Sequence, residues 1–486
     1  MTDTNRSIKT QALSGFMWRF MERFGAQGVT FVVSVILARL LDPEVYGVVA
    51  IVTVFITILN VFIDSGLGNA LIQKKDADDM DFSSVFFFNM AACLILYFLL
   101  FLAAPLIAAF YHMPELTPVL RVMSLTVVIS GVKNIQQAYV SRHLLFKRFF
   151  FATLGGTVGA AFLGIWMAYR GYGVWALVAQ NLFNTMVDTI ILWITVSWRP
   201  KLMFSLERFK ALFSYGWKIL VSNLIITVNN DLRQLIIGKL YTPGSLAFYN
   251  RGYMIPNTFV GNINSAIDSV LLPVMSGSQD DRTGILSMTR RSIRISAYIM
   301  WPVMMGIAAV SRPLVIVLLT EKWLPSVPYV IVFCIMYGFS PLQTANLNAI
   351  KAIGRSDTFL RLTVVKRGIG IVVLLATMWF GPLTMAIGNL VICTAEQLVN
   401  AGPNKRLLGY SYRSQILDIL PSVLLSAFMF AVVWSVQYLR FSNLITLLLQ
   451  VLTGLGVYLG GSILFKFDSF YYLWGILRDL IRKRRK

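Results

Sequence analysis

The residues of this chain that could do chemistry are ions and amides set into otherwise apolar text. Arg19 and Arg23 stand four apart and are continued by Gln27, Thr30 and Ser34. Thr53, Thr57, Asn60 and Asp64 recur at i, i+4, i+7 and i+11, and Ser130, Lys133, Asn134, Gln137 and Ser141 follow the same helical period. Later strips hold Asn223, Thr227, Asn230, Asp231, Arg233 and Gln234, then Arg251, Asn257, Thr258, Asn262, Asn264, Ser265 and Asp268. Two more hold Ser340, Thr344, Asn348 and Lys351, and Asn389, Glu396, Gln397 and Asn400. The period gathers each set onto one helix face. An ion at the middle of a membrane span costs roughly 2.5–3.5 kcal/mol, so ions in such places mark a pathway. Single Ser, Thr and Asn residues serve equally as helix-to-helix bonds of about 0.6 kcal/mol, and Arg39, Lys239 and Lys351, near span ends, can snorkel to the interface.

Cations outnumber acids in these strips, which predicts a water-filled cavity for a phosphate or a sugar acid, because guanidinium groups grip such oxygens bidentately. Asn, Gln and Thr suit sugar hydroxyls. By helix position, the candidate substrate-binding residues are Arg19, Arg23, Lys133, Arg251, Arg233, Asn257 and Asn262. Asp64, Glu22 and Glu396 are the candidates for exchanging a proton or Na⁺, Asp64 first because it ends a polar strip; Asp231 and Asp268 also lie in spans. Catalytic chemistry has no carrier here. The two histidines, His112 and His143, lack partners at ligand spacing, and there is no HExxH, P-loop or GxSxG. No catalytic residue, metal site or cofactor is expected, and ATP is not hydrolysed by this chain. Cys93, Cys334 and Cys393 fall inside apolar runs and form no disulfide or zinc pattern.

The elements that must position these residues are membrane helices. Of 486 residues 57% are hydrophobic and 13% charged, against about 25% charged in an ordinary soluble domain, and apolar stretches long enough to cross roughly 30 Å of hydrocarbon recur from end to end. The reading is an all-α integral membrane fold with fourteen transmembrane helices, the first retained rather than cleaved as a signal. The net charge of +21 is a topology signal rather than a nucleic-acid footprint: Lys and Arg crowd one set of connections and the tail, which places both termini in the cytoplasm. Spans five, thirteen and fourteen lack a polar strip and are expected to face lipid.

The chain also repeats itself at an offset near 200. Ser14-Gly15-Phe16-Met17-Trp18-Arg19 is echoed by Ser214-Tyr215-Gly216-Trp217-Lys218, Ala38-Arg39-Leu40-Leu41-Asp42-Pro43 by Gly238-Lys239-Leu240-Tyr241-Thr242-Pro243, and Asp64-Ser65-Gly66 by Asn264-Ser265-Ala266. Six spans separate the copies, so both halves share one orientation, related by an axis along the membrane normal with substrate between them. The expected organisation is a six-helix lobe over 1–205, a second over 206–410, two extra helices over 411–466 packed outside them, and a cytoplasmic amphipathic tail over 467–486. The tail puts Phe470, Leu473, Leu477 and Leu480 on one face and ends Arg482-Lys483-Arg484-Arg485-Lys486, a surface helix drawn to anionic lipid.

Five segments carry a resemblance: Leu37-Ala38-Arg39-Leu40-Leu41-Asp42-Pro43-Glu44-Val45-Tyr46-Gly47, Asp64 to Lys74, Phe248-Tyr249-Asn250-Arg251, Leu272-Pro273 to Gln279-Asp280-Asp281, and Glu321-Lys322-Trp323-Leu324-Pro325-Ser326-Val327-Pro328 through Gly354-Arg355-Ser356-Asp357. In these the chain resembles the Wzx-type oligosaccharide flippases, the polysaccharide and lipopolysaccharide biosynthesis branch of the superfamily that also holds the MATE exporters and the lipid II flippase. The resemblance implies two rocking lobes around a cationic cavity in a bacterial cytoplasmic (inner) membrane. The implied cargo is an undecaprenyl-diphosphate-linked oligosaccharide whose lipid tail stays in the bilayer, flipped to the outer leaflet. Partners are then membrane lipids, H⁺ or Na⁺, and polysaccharide polymerase machinery, with no nucleic acid. The alternative is a MATE-like ion-coupled drug/cation antiporter, whose cavity should be acidic. The motifs do not assign the substrate-touching residues.

Overall fold

In a computed structural model, residues 18, 21, 25–64, 66–74, 76–143, 145–277 and 281–484 are described. They form helices joined by short connections. Two compact units divide the chain after Ala247, whereas the repeat in the sequence puts the lobe boundary after residue 205.

The first unit, Met1–Ala247, begins its described helices with α1 (Gly25–Leu40). Next come α2 (Pro43–Asp64), α3 (Leu67–Gln73), α4 (Asp79–Tyr111), α5 (Leu116–Met123), α6 (Leu125–Arg142), α7 (Phe146–Tyr169), α8 (Val174–Thr195) and α9 (Leu206–Leu240), and the unit ends in the first residues of α10 (Pro243–Ser276). Pro43 and Pro243 each open a helix after a two-residue break, where the missing N–H costs nothing and the fixed φ is already helical. The repeated motif is therefore a repeated turn. The core gathers Leu67, Leu71, Phe82, Phe86, Ile135, Leu192 and Trp198 at one end of the unit, and Val33, Leu37, Leu41, Ala161, Ala176 and Leu177 form a second cluster.

Glycines let these helices approach. Along α7, a Cβ on Gly155, Gly156, Gly159 or Gly164 would lie 2.9 Å from Ile191, 3.0 Å from Asn184, 2.8 Å from Phe183 or 3.1 Å from Gln180 of α8. This seam of small residues is the usual means of bringing membrane helices together. A second close approach joins two motifs of the sequence. Gly66, at φ +71 on the elbow between α2 and α3, would put a Cβ 2.8 Å from the carbonyl oxygen of Gly216. There α9 bends by 46° between Ser214 and Gly216, the residue types at which helices kink.

The second unit, Phe248–Lys486, holds the rest of α10, then α11 (Arg282–Leu319), a 3₁₀ turn (Glu321–Ser326), α12 (Val327–Gly338), α13 (Ser340–Ala352), α14 (Ser356–Thr377), α15 (Pro382–Leu408), α16 (Tyr412–Ser435), a 3₁₀ turn (Val436–Leu439), α17 (Asn443–Leu464) and α18 (Asp468–Arg484). The long α11 organises it: Ile285, Ile293, Ala297 and Trp301 meet Leu342, Ala345, Ala349 and Ile419. Its other end meets α16 and α17 through Val310, Leu425, Met429 and Tyr458. Spans four and ten are both interrupted, at Ser124 between α5 and α6 and at Phe339 between α12 and α13. On α18, Phe470 and Leu473 pack against the α11–α17 cluster while Tyr471, Tyr472 and Trp474 stay exposed.

Ten helices are long and apolar enough to cross a membrane, eleven with bent α9, among the described residues. The fourteen expected from the sequence exceed this at α1, α10 and α14. The described part of α1 is short, and α10 and α14 have the length but carry the polar strip and the cations Arg361, Lys366 and Arg367. Outward faces are apolar: Phe98, Leu99, Leu102, Leu106 and Phe110 of α4 are all exposed, far more apolar surface than a water-soluble protein presents. Spans thirteen and fourteen, expected to carry no polar strip, each bury one glutamine, Gln415 on α16 and Gln450 on α17.

Candidate functional site

In the first unit the structure brings together two charges, one of which the sequence strips missed. Lys133, on α6, reaches Asp188 of α8 at 2.7 Å, with 17% and 13% of the side chains exposed. Asp188 lies one turn beyond Asn184 and Thr185 and two beyond Asn181, so α8 has a polar face of its own. Span six reads as apolar because these residues are scattered among Phe, Met, Ile and Leu; the i, i+4 spacing of Asn184 and Asp188 was the available signal. The second oxygen of Asp188, Oδ1, is buried without a hydrogen-bond partner, as is Oδ1 of Asn60 on α2.

Of the other first-unit candidates, Arg233 is half-buried on α9 with its Nε unbonded, and Asp231 accepts from Gln234 at 2.9 Å. Arg19, Glu22 and Arg23 lie outside the described residues. The backbones of Asp64 and Asn262 are helical, and their side chains lie outside what the structure describes.

The second unit places Arg251 against an aromatic face. Its guanidinium sits 5.1 Å from the ring centre of Trp323, which is fully buried, and Phe248 meets the same ring edge-on at 6.0 Å. Tyr249 packs on Phe333 at 5.2 Å, and a Cβ on Gly252 would fall 2.3 Å from that of Tyr329. Two of the segments that carry the family resemblance thus form one packed knot. Asn257 accepts from the Tyr337 hydroxyl at 2.9 Å, and Asn389 donates to Tyr249 at 2.9 Å.

Glu396, on α15, accepts from Gln343 of α13 at 2.9 Å and has Lys366 and Arg367 of α14 as charged neighbours. Deeper, Asn346 donates to Gln415 at 2.8 Å and receives from Asn404 at 2.8 Å. Asn400 is fully buried with both side-chain polar atoms unpaired. This amide ladder between α13, α15 and α16 was only partly visible in sequence, since Asn346 and Gln415 fell outside the strips. Among the described residues no group of His, Cys, Asp and Glu could hold a metal ion.

Both units also carry charged clusters near helix ends. Asp78 caps α4 in a reciprocal box with Asp81 and meets Arg208 at 2.5 Å, while Lys74 holds the buried Asp81 at 2.6 Å. In the second unit Asp418, 3% exposed, takes Arg290 at 2.6 Å, Arg294 at 2.9 Å and the Tyr410 hydroxyl at 2.9 Å.

Comparison with known proteins adds the following. The model of a family described as polysaccharide biosynthesis protein matches residues 36–328. The chain is 24% identical to the lipopolysaccharide biosynthesis protein WzxC of Escherichia coli (strain K12), covering 85% of each chain. It is 26% identical to the teichuronic acid biosynthesis protein TuaB of Bacillus subtilis (strain 168), over 72% of this chain and 73% of that one. It is 25% identical to the succinoglycan biosynthesis transport protein ExoT of Rhizobium meliloti (strain 1021), over 70% and 68%. In fold it is similar to the inward closed conformation of the lipid II flippase MurJ, with a TM-score of 0.73 at 15% identity over 93% of this chain and 99% of that one. An inward-facing multidrug resistance MATE family transporter follows at a TM-score of 0.55 and 14% identity, over 83% and 94%. At these identities the structural likeness is one of fold.

Proposed function

This chain belongs to the polysaccharide biosynthesis protein family, and from that premise we propose that it flips an undecaprenyl-diphosphate-linked oligosaccharide from the cytoplasmic to the outer leaflet of a bacterial inner membrane. The observation that carries the reading is the fold likeness to a flippase of a lipid-linked precursor over nearly the whole chain, joined to the family match. In this reading fourteen helices make two lobes, 1–205 and 206–410, with helices thirteen and fourteen outside them and both termini cytoplasmic. The lobes rock to expose a cationic cavity alternately to each side. Arg19, Arg23, Lys133, Arg233 and Arg251 meet the diphosphate or an acidic sugar, and Asn257 and Asn262 meet sugar hydroxyls. Each charged hydrogen bond contributes about 1.5–3 kcal/mol. Asp64, Glu22 or Glu396 exchanges a proton or Na⁺, which supplies the energy that a chain without a P-loop does not draw from ATP. The chain acts as a carrier and not as an enzyme, and delivers its cargo to polymerase machinery.

Deleting the gene is expected to stop polymer export and to leave a lipid-linked oligosaccharide accumulating on the cytoplasmic side, identified by mass spectrometry of extracted lipids. Export restored by the wild-type chain but not by an Arg19→Ala, Arg23→Ala double variant of normal abundance supports the cationic cavity. Unchanged export and no accumulated lipid would sink the reading. The MATE-like alternative, favoured only by the second fold likeness, predicts instead efflux of cationic dyes.

A further inference from the structure

Lys133 and Asp188 do more than complete a polar strip. The helices that carry them are already joined: Trp193 of α8 donates to the Val132 carbonyl at 3.3 Å, Gln136 of α6 donates to the Trp198 carbonyl at 3.1 Å, and Ile135 and Leu192 share a core. An ion pair adds little fastening to such an interface, because desolvating both charges offsets most of their attraction. Most buried polar atoms have a hydrogen-bond partner, yet Asp188 Oδ1 is buried and unpartnered. An ammonium has three donors, and Lys133 gives Asp188 one, at 2.7 Å. The pair is thus only partly satisfied and has bonding capacity left on both sides.

We propose that Asp188 is the resident counter-anion of Lys133, displaced when the cargo's anionic headgroup enters and returning to the ammonium when it leaves. The proposal rests on the reading of this chain as a carrier of a lipid-linked diphosphate. A carrier that grips its cargo with a bare, dehydrated cation holds it in whichever state binds it best. A carboxylate 2.7 Å from that cation competes with the phosphate in every state, lowers the net affinity, and drives release by re-forming the pair. Asp188 is in these terms a positioning residue for Lys133, and it sets how strongly the cation binds.

The test uses the full-length protein in lipid nanodiscs, with inorganic pyrophosphate as the soluble probe of the diphosphate, titrated calorimetrically at low salt. Asp188→Asn is expected to bind pyrophosphate roughly tenfold more tightly than wild type while supporting slower polymer export in the deletion host. Lys133→Met is expected to bind more weakly. A Lys133→Met, Asp188→Leu double variant, which replaces the pair with apolar bulk, is expected to keep its thermal stability and lose export. Wild-type export by that double variant would show that the pair merely fastens helices, and overturns the proposal. Asp188→Asn binding no tighter than wild type, with Lys133→Met still weakened, overturns the displacement role and leaves the carrier reading standing. Wild-type protein that ignores pyrophosphate overturns the proposal; the carrier reading then falls only if the deletion host also accumulates no lipid-linked oligosaccharide.

Discussion

At the scale of single residues, the acids matter through what they neutralise. Asp418 gathers two guanidiniums and a tyrosine hydroxyl on one buried carboxylate. Removing a buried partner leaves the others uncompensated, at about 3–5 kcal/mol; both arginines keep solvent contact, so Asp418→Ala is expected to cost about 3 kcal/mol. Thermal unfolding in detergent measures this, and Asp418→Asn, which can still accept from Tyr410, should lose less. Asp78 gives a pH signature. The hydrogen bond from Arg208, then the backbone N–H of Asp81, hold its carboxyl down at about 2 from an ordinary 3.8. A depressed carboxyl stabilises the fold fully above its unfolded pKa and loses that contribution as the proton returns. Wild type should therefore outlast Asp78→Asn at pH 5–7, and the two unfolding temperatures should converge as pH falls from about 4 to about 2. Arg19, Arg23 and Lys133 were legible as ions in apolar text. Asp188 was less so, because its only signal was the i, i+4 spacing to Asn184 in a Met- and Ile-rich span, and its partner lies on another helix.

At the scale of elements, several segments that signalled the family proved to be joints. Gly66 meets Gly216 where α9 bends, and Phe248 and Arg251 pack on Trp323. The motifs spell the turns and close approaches of the scaffold and do not say which residues touch the cargo. Gly66 cannot take a side chain cheaply: its left-handed backbone alone costs a larger residue about 1–2 kcal/mol, and the Gly216 carbonyl would stand 2.8 Å from the new Cβ. Gly66→Ala should lower the unfolding temperature and slow export, whereas Gly171→Ala, with the same sign of φ but open space around it, should lower stability alone. Equal loss of export from both variants at equal stability would deny the elbow any special part in movement. The helices were legible from apolar runs and proline-marked turns. The interruption at Ser124 was not, because no Gly or Pro adjoins it, whereas that at Phe339 is signalled by Gly338 and by Ser340-Pro341 within an otherwise continuous apolar run.

At the scale of the whole molecule, the asymmetry of Lys and Arg predicts the side on which each connection lies. Cysteines placed at Arg440 and at Arg413 should react with a membrane-impermeant thiol reagent from opposite faces of intact cells, Arg440 from outside. Labelling of both from one side would break the topology. The natural thiols interfere little, since Cys93, Cys334 and Cys393 are buried. The offset near 200 was legible in the sequence and reappears as the matched breaks before Pro43 and Pro243. The number of spans was less so, because helices lined with polar residues resemble membrane text only in part. The glycine seam between α7 and α8 bears on the descent of such chains. A Cβ on Gly159 would stand 2.8 Å from the Phe183 ring, so a side chain there requires Phe183 to shift or shrink, and one at Gly164, 3.1 Å from Gln180, requires a smaller adjustment. Across distant descendants these positions should therefore drift as couples, with an alanine at 159 accompanied by a smaller residue at 183, so that the hairpin's lineage changes in pairs while its lipid-facing side changes one residue at a time.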